Sequence, residues 1–135
     1  MRRILAVTLA VLLLCGCSAM KRSGGSAPGV GIAGTWEHVS GDMSEYRQIK
    51  LLTGTHFVWA TYERDTGMLV ASAGGTYEFD GHTYIERLDF GSEAFLLDLI
   101  GRDQVFAAKL EGDEWYHEGT LTSGAEVREV WRRLE

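Results

Sequence analysis

The stretch TYEFDGHTYIERLDF, residues 76–90, carries the strongest folding signal in the chain. Its Asp80-Gly81 dipeptide tolerates positive φ at both positions, as a two-residue type I′ turn requires, and therefore predicts a β-hairpin. That turn pairs Phe79 with His82 and Tyr77 with Tyr84. Side chains alternate between the two faces of a strand. The inner face then consists of Tyr77, Phe79, Tyr84, Glu86, Leu88 and Phe90.

Similar turn signals recur about every ten residues from Gly34 to Glu135, with no helical segment between them. We interpret the intervening segments as eight strands: Thr35–Ser40, Glu45–Leu52, Thr55–Glu63, Met68–Phe79, His82–Phe90, Phe95–Leu110 with a break at Gly101, Glu114–Leu121, and Glu126–Leu134. Short connections between consecutive strands favour an all-β fold, a single small up-and-down antiparallel β-barrel. The register between Phe95 and Leu110 stays open.

Two glycine-containing sites refine this prediction. A tight turn at Gly112-Asp113 places five residues on one face: Phe106, Ala108, Leu110, Trp115 and His117. Gly74-Gly75 lies inside a predicted strand and indicates a bulge or sharp bend, which helps a small sheet to close on itself.

The first strand carries a family resemblance. Gly34-Thr35-Trp36 resembles the G-x-W motif that opens lipocalins, and residues 34–40 resemble the opening strand of fatty-acid-binding proteins, another calycin family. The resemblance implies that Trp36 plugs the barrel floor beneath Arg133, or failing that Arg132. Residues 34–133 as a whole resemble bacterial lipocalin-like domain proteins, through THFVW at 55–59, ASAGGTY at 71–77 and EVWRR at 129–133.

Two departures limit what this resemblance implies about a ligand. The segment from Gly41 to Glu45 is too short for the helical lid of fatty-acid-binding proteins. Their last strand offers an arginine and a tyrosine to a fatty-acid carboxylate, where this chain has Glu129 and Trp131. A fatty acid would meet a like charge, so that ligand class does not transfer.

The N-terminus has the pattern of an export signal. Two arginines precede the uncharged run Ile4–Leu14, which is too short to span a membrane. The following Leu14-Cys15-Gly16-Cys17-Ser18 resembles a bacterial lipobox, with an ordinary secretory signal as the alternative. We predict a lipoprotein signal peptide over 1–16, lipidation at Cys17, a flexible tether over 17–31 and the lipocalin-like barrel over 32–135.

The same segment predicts a location in the bacterial cell envelope. Ser18 follows Cys17 in place of the aspartate that resembles an inner-membrane retention signal, which favours a lipid anchor in the outer membrane, facing the periplasm. Both cysteines lie in this segment, so the folded domain would contain no disulfide, cysteine zinc site or cysteine nucleophile.

Net charge narrows the partners. The chain has a formal charge of −6, and removal of the segment carrying Arg2 and Arg3 makes the remainder −8, two units more negative. This balance disfavours nucleic acid as a partner.

The predicted interior is rich in aromatic residues and also contains inward polar groups. We expect a lumen that binds a small, largely apolar or amphipathic molecule with a hydrogen-bonding head. The candidate binding residues are Trp59, Tyr77, Tyr84, Glu86, Phe106, His117, Glu129 and Trp131. The two acids disfavour an anionic ligand. A packed core is the alternative, in which the domain is an interaction module and Arg133 pairs with Glu129 or a neighbouring carboxylate.

Catalysis receives little support from the sequence. Serine-hydrolase elbows, phosphate loops and metal-binding histidine spacings are all absent, and the four histidines are single residues on different strands. We therefore predict no catalytic residues, no cofactor and no metal site.

A protein-binding function is the other alternative. Periplasmic lysozyme inhibitors are also small lipid-anchored eight-stranded barrels, and they carry a loop that resembles SAGGTY at residues 72–77. The acidic charge would suit a cationic partner such as lysozyme. The cysteine pair usual in that family is missing from the domain.

The first testable prediction concerns Cys17. Labelled palmitate should be incorporated into the full-length chain, and Cys17→Ser should abolish both labelling and membrane fractionation. Cys15→Ser is the matched control and should leave both unchanged. Unchanged labelling in the Cys17→Ser protein would contradict the anchoring prediction.

Overall fold

A computed structural model describes residues 31–135, so Cys17, the predicted signal peptide and nearly all of the predicted tether lie outside the described residues. Eight antiparallel strands in sequence order close into an up-and-down barrel, which confirms the predicted fold class. The strands are β1 (Gly34–His38), β2 (Tyr46–Leu52), β3 (His56–Glu63), β4 (Leu69–Phe79), β5 (Thr83–Gly91), β6 (Asp103–Glu111), β7 (Glu114–Thr120) and β8 (Glu126–Arg133). One short helix, α1 (Ala94–Leu97), lies between β5 and β6.

The two ends of the barrel differ in their connections. The end that we call the floor end carries the tight turns 53–55, 80–82 and 112–113, together with the entry to β1 and the exit from β8. The opposite end, the open end, carries the longer connections 39–45, 64–68, 92–102 and 121–125. The longer connections constrain the backbone less at the open end than the tight turns do at the floor end.

Trp36 closes the floor end. Its side chain is fully buried, and its indole Nε1 donates to the Ile32 carbonyl at 2.8 Å. The guanidinium of Arg133 lies 4.1 Å from the Trp36 ring centroid and donates to the carbonyls of Ala33 and Gly31. Trp36 therefore lies at the barrel floor, as the resemblance implied, with Arg133 and not Arg132 across it.

The described acidic side chains lie away from Arg133. Within residues 31–135 no carboxylate lies at ion-pair distance from its guanidinium, so the alternative in which Arg133 pairs with Glu129 or a neighbouring carboxylate is wrong. A Cβ added to Gly34, where φ is +141°, would lie 2.7 Å from Arg133 Nη1. Glycine at the start of β1 therefore leaves room for the arginine that covers Trp36.

The residue 76–90 hairpin forms with a shifted register. Phe79 pairs with Tyr84 and Tyr77 with Glu86, so the predicted pairing of Phe79 with His82 and of Tyr77 with Tyr84 is wrong. The two central turn residues are Gly81, with φ +101°, and His82, because the Asp80 carboxylate accepts the amides of His82 and Thr83. A shift of two residues preserves side-chain parity, so Tyr77, Tyr84 and Glu86 still point inward.

The second hairpin has the predicted register. Leu110 pairs with Trp115 and Ala108 with His117 around the Gly112-Asp113 turn. The predicted irregularity at Gly74-Gly75 is also present: the register between β4 and β5 shifts there, and Asp89 is the extra residue on β5. A Cβ on Gly75 would approach the Arg87 carbonyl oxygen to 2.0 Å. The bulge rotates Phe90 out of the lumen, which corrects its inward assignment: Phe90 is 49% exposed and lies against Gly74.

The predicted strand Phe95–Leu110 is wrong over its first half, residues 95–102. Residues 94–97 form α1, and the amides of Leu96 and Leu99 donate three residues back, to Glu93 and Leu96. Leu96 and Leu99 are buried while Phe95 is exposed, a three-residue period that matches a helical turn and not a strand. Gly101, with φ +74°, ends this segment at the predicted break.

The second prediction tests the floor. Trp36→Ala should destabilise the protein by about 3–5 kcal/mol, because it removes a fully buried indole and leaves a cavity beneath Arg133. Urea unfolding followed by circular dichroism measures the loss. Phe95→Ala, at an exposed aromatic residue, is the control and should change stability by less than about 1 kcal/mol. Near-wild-type stability of Trp36→Ala would overturn the placement of Trp36.

Candidate functional site

A cavity of about 310 Å³ occupies the half of the barrel nearest the open end. Its walls are largely apolar: Trp59, Ala71, Leu88, Phe95, Leu96, Leu99, Phe106, Leu121 and Val127. Its polar lining residues are Gln48, Lys50, Thr61, Glu86, Gln104, His117 and Glu129. An apolar enclosure with a few polar groups is the usual composition of a small-molecule site.

An ion pair lies at the base of this cavity. Lys50, on β2, reaches across the lumen to Glu86, on β5, with Nζ 2.6 Å from Oε1. Both side chains are buried, at 3% and 8% exposure. The hydroxyl of Tyr84 donates to the same carboxylate oxygen at 2.8 Å. Burial, and then the charge of Glu86, raise the pKa of Tyr84 well above its usual value, so this hydroxyl keeps its proton.

Aromatic rings surround the ammonium group of Lys50. Its Nζ lies 4.7 Å from the ring centroid of Trp131 and 5.2 Å from that of Trp115. The rings of Tyr84 and Phe57 are each 5.6 Å away. These distances are within the range of cation–π attraction, which offsets part of the cost of removing the ammonium from water.

A second polar pair joins β7 and β8. His117 Nε2 lies 2.9 Å from Glu129 Oε2, and the indole Nε1 of Trp131 donates to the same oxygen at 2.9 Å. His117 is buried and Glu129 is a quarter exposed, on the cavity side. We call Lys50, Glu86, His117 and Glu129 the polar layer, since together they form the base of the cavity.

Glu129 is held in its ionised form. Burial alone would raise its pKa, but the hydrogen bond and charge of His117, followed by the charges of Lys50 and His38, outweigh it. The pKa of Glu129 falls from 4.5 to about 2. The carboxylate is therefore charged throughout the physiological pH range.

His38 lies beside this pair. Its ring is 5.0 Å from that of Trp131, and its Nε2 is 2.7 Å from Ser40 Oγ, which also accepts the amide of Val130. Burial is the main cause that lowers the pKa of His38. Ser40 does not line the cavity, so this contact secures the end of β1 to β8.

Below the polar layer the interior is solid. Four large side chains pack there with exposures of 0–1%: Trp36, Tyr84, Trp115 and Trp131. We call these four residues the aromatic floor. Tyr84 and Trp115 make an edge-to-face contact at 4.8 Å, and Trp36 and Trp115 make another at 5.6 Å.

The structure divides the eight predicted binding residues into two groups. Five line the cavity: Trp59, Glu86, Phe106, His117 and Glu129. Tyr77, Tyr84 and Trp131 do not line it. Tyr84 and Trp131 belong to the aromatic floor, and the Tyr77 hydroxyl donates to the Thr53 carbonyl in a floor-end turn.

Sequence reasoning missed Lys50. It shares inward parity with Leu52, and it pairs directly with Trp36 across β1 and β2. These two buried neighbours were the signal that could have identified Lys50 as an inward residue. In the run Ile49-Lys50-Leu51-Leu52, however, the leucines are the residues expected to be buried. Leu51 is instead 49% exposed. Leu96 and Leu99 were missed because their segment was assigned to a strand.

Residues 72–77 do not form a loop. They lie within β4, where Ala73, Gly74 and Gly75 are buried and Tyr77 points into the barrel. This agrees with the predicted strand Met68–Phe79, whereas the similar stretch of the lysozyme inhibitors is a loop. In this chain the register between β4 and β5 shifts at the two glycines.

The polar groups of residues 31–135 limit the chemistry that the site can perform. Across residues 31–135 no group of three or more His, Cys, Asp or Glu side chains is arranged to hold a metal ion. The polar layer can donate and accept hydrogen bonds at the base of an apolar cavity.

No helix among residues 31–135 has the length and hydropathy that a membrane-crossing segment requires.

The third prediction concerns acid stability. Because the pKa of Glu129 is lower in the folded chain than its ordinary 4.5, its stabilising effect is fully present above pH 4.5 and is lost as the pH falls towards 2. The effect is of order 3 kcal/mol at neutral pH. Glu129→Gln should lower stability at pH 7 and flatten the loss of stability between pH 4.5 and 2, measured by urea unfolding.

Glu118→Gln is the matched control for this experiment. Glu118 pairs with Arg128 on the same two strands, but that pair is exposed. Its removal should change stability by less than about 1 kcal/mol at any pH. Equal pH profiles for the two variants would contradict the role assigned to Glu129.

Comparisons with protein-family models, with curated proteins and with solved structures found no match to this chain.

Proposed function

We propose that the barrel binds a small, largely apolar molecule with a neutral or cationic hydrogen-bonding head, without catalysing a reaction. The observation that carries the proposal is the cavity of about 310 Å³, with apolar walls above the polar layer. Its volume is at the lower end of the roughly 300–1,000 Å³ typical of ligand pockets. Burial of an apolar molecule there would be driven by the hydrophobic effect.

The polar layer supplies acceptors for the head of the ligand. Glu86 Oε1 accepts both Lys50 and Tyr84, and Glu129 Oε2 accepts both His117 and Trp131. The other oxygen of each carboxylate has no hydrogen-bond donor among residues 31–135. A hydroxyl or ammonium group of a ligand would satisfy either oxygen.

Charge selects against an anionic head. Lys50 is paired with Glu86, and Glu129, the more exposed of the two acids, is ionised at the base of the cavity. A fatty-acid carboxylate placed there would be repelled in a medium of low dielectric constant. An alcohol or amine of the same chain length would not.

We also propose a lipid anchor at Cys17 and an outer-membrane location facing the periplasm, which the lipobox-like sequence supports. The chain enters the barrel at the floor end, where the Gly31 carbonyl accepts Arg133. The cavity lies in the opposite half. An anchor on this side would leave the open end free to receive ligand.

The fourth prediction tests occupancy of the cavity. The full-length chain should bind an apolar fluorescent probe saturably at one site, and Thr61→Phe should abolish that binding because the larger side chain fills the lumen. Thr120→Phe, at an exposed position on β7, is the matched control and should bind as wild type does. Equal binding by all three proteins would place the probe outside the cavity.

The same assay tests the charge argument. Decanol and decylamine should displace the probe at lower concentrations than decanoate. Displacement by decanoate as effective as that by decanol would contradict the proposed head group.

A further inference from the structure

Lys50 is an amine at the base of the apolar cavity, and its position offers more than charge compensation. We propose that Lys50 forms a reversible imine with an apolar aldehyde or ketone held in the cavity. This inference rests on the proposed function, since it requires a carbonyl compound to occupy the same lumen. It assigns both a covalent ligand site and a ligand class.

Nζ of Lys50 retains bonding capacity. An ammonium group has three N–H donors, and Glu86 Oε1 is its single hydrogen-bond acceptor within residues 31–135. The residue lines the cavity although it is 2% exposed. A carbonyl group that reaches the base of the cavity would therefore meet an amine shielded from bulk water. Lysines in such surroundings are the usual Schiff-base formers.

Glu86 lies close enough to Lys50 to accept a proton from its ammonium group and to return it later in the reaction. At 2.6 Å its carboxylate can take one proton from the ammonium and leave a free amine. The amine nitrogen attacks the carbonyl carbon, and a proton moves from nitrogen to oxygen to give a neutral carbinolamine. The protonated Glu86 then protonates the hydroxyl group, and water leaves. The net reaction converts ammonium and carbonyl into iminium and water.

The surroundings of Nζ suit the product as well as the reactant. An iminium carries the same positive charge as the ammonium that it replaces, so Glu86 remains its counter-ion. The rings of Trp131 and Trp115, 4.7 and 5.2 Å from Nζ, attract a cation in either form. Shielding from water slows hydrolysis of the iminium.

The chain provides its own reference lysine. Lys109, on β6, is 68% exposed and pairs with Glu111. The sequence contains one further lysine, Lys21. The amine of Lys109 is exposed to water, where imines hydrolyse readily, so its labelling measures the non-specific reaction.

The test is reductive trapping. The full-length chain is incubated with decanal and sodium cyanoborohydride, which reduces an iminium to a stable secondary amine, and the modified lysine is identified by peptide mass mapping. We expect the decyl label at Lys50 in at least about tenfold excess over Lys109. Lys50→Arg should lose the label at that position, and Lys109→Arg should leave Lys50 labelling unchanged. Glu86→Gln should slow labelling of Lys50, since no carboxyl group takes up and returns the proton.

Decanol separates this inference from the proposed function, because it has the same chain without the carbonyl. Decanol binding together with Lys50 labelling no greater than that of Lys109 would overturn the imine and leave the ligand site intact. Absence of both decanol binding and Lys50 labelling would overturn the two proposals together. Labelling of Lys50 that decanol and Thr61→Phe both suppress would support the two together. The wild-type peptide map decides the imine even if a Lys50 variant fails to fold.

Discussion

The buried ion pair between Lys50 and Glu86 is the constraint on which the interior of this barrel depends. Two charges removed from water must be paired and hydrogen-bonded, or the cost of several kcal/mol per ion is not recovered. The structure meets this condition with one short contact, one tyrosine hydroxyl and four aromatic rings around the ammonium. Because those rings must stay close to Nζ, the pair also fixes how the aromatic floor packs.

The two halves of the barrel differ in how their interiors are filled. At the floor end, Trp36 and Arg133 close the sheet and tie the entry to β1 against the exit from β8. Above the polar layer, a cavity of about 310 Å³ takes the place of such packing, and α1 contributes Leu96 and Leu99 to its wall. The polar layer thus separates a packed half from a half that contains the cavity. Glu86 belongs to both, as the partner of Lys50 and as a lining residue of the cavity.

Local patterns predicted the architecture well, because a barrel of short hairpins is specified by turns and alternation. The Gly112-Asp113 turn gave the correct register, and Gly74-Gly75 marked the bulge. The turn at Asp80 moved by one residue and shifted the strand register by two, since the Asp80 carboxylate accepts two amides beyond it, an effect that dipeptide preference does not include. A two-residue shift of register leaves the same side chains facing inward, so the predicted inward position of Glu86 was correct.

The candidate site was less predictable, because it depends on contacts across the lumen. A lysine on a strand is ordinarily assigned to solvent, and only the closed barrel brings Lys50 to Glu86, 36 positions away. The inward aromatics formed a single set in the sequence, yet Trp59 lines the cavity while Trp131 packs in the floor. That distinction depends on how far along the barrel axis each residue lies. The alternation of side chains along a strand does not encode this position. Phe90 shows the same limit, since Asp89, an extra residue in its own strand, decides which way it points.

A double-mutant cycle tests the central role of the ion pair, with Lys50→Met, Glu86→Gln and the double variant compared by urea unfolding. Each single change should destabilise the protein by about 3–5 kcal/mol, because each leaves a buried charge without its partner. The double variant should recover most of that loss, since no charge is then left unpaired. Additive losses in the double variant would show that the two side chains contribute independently and would contradict the central role of the pair.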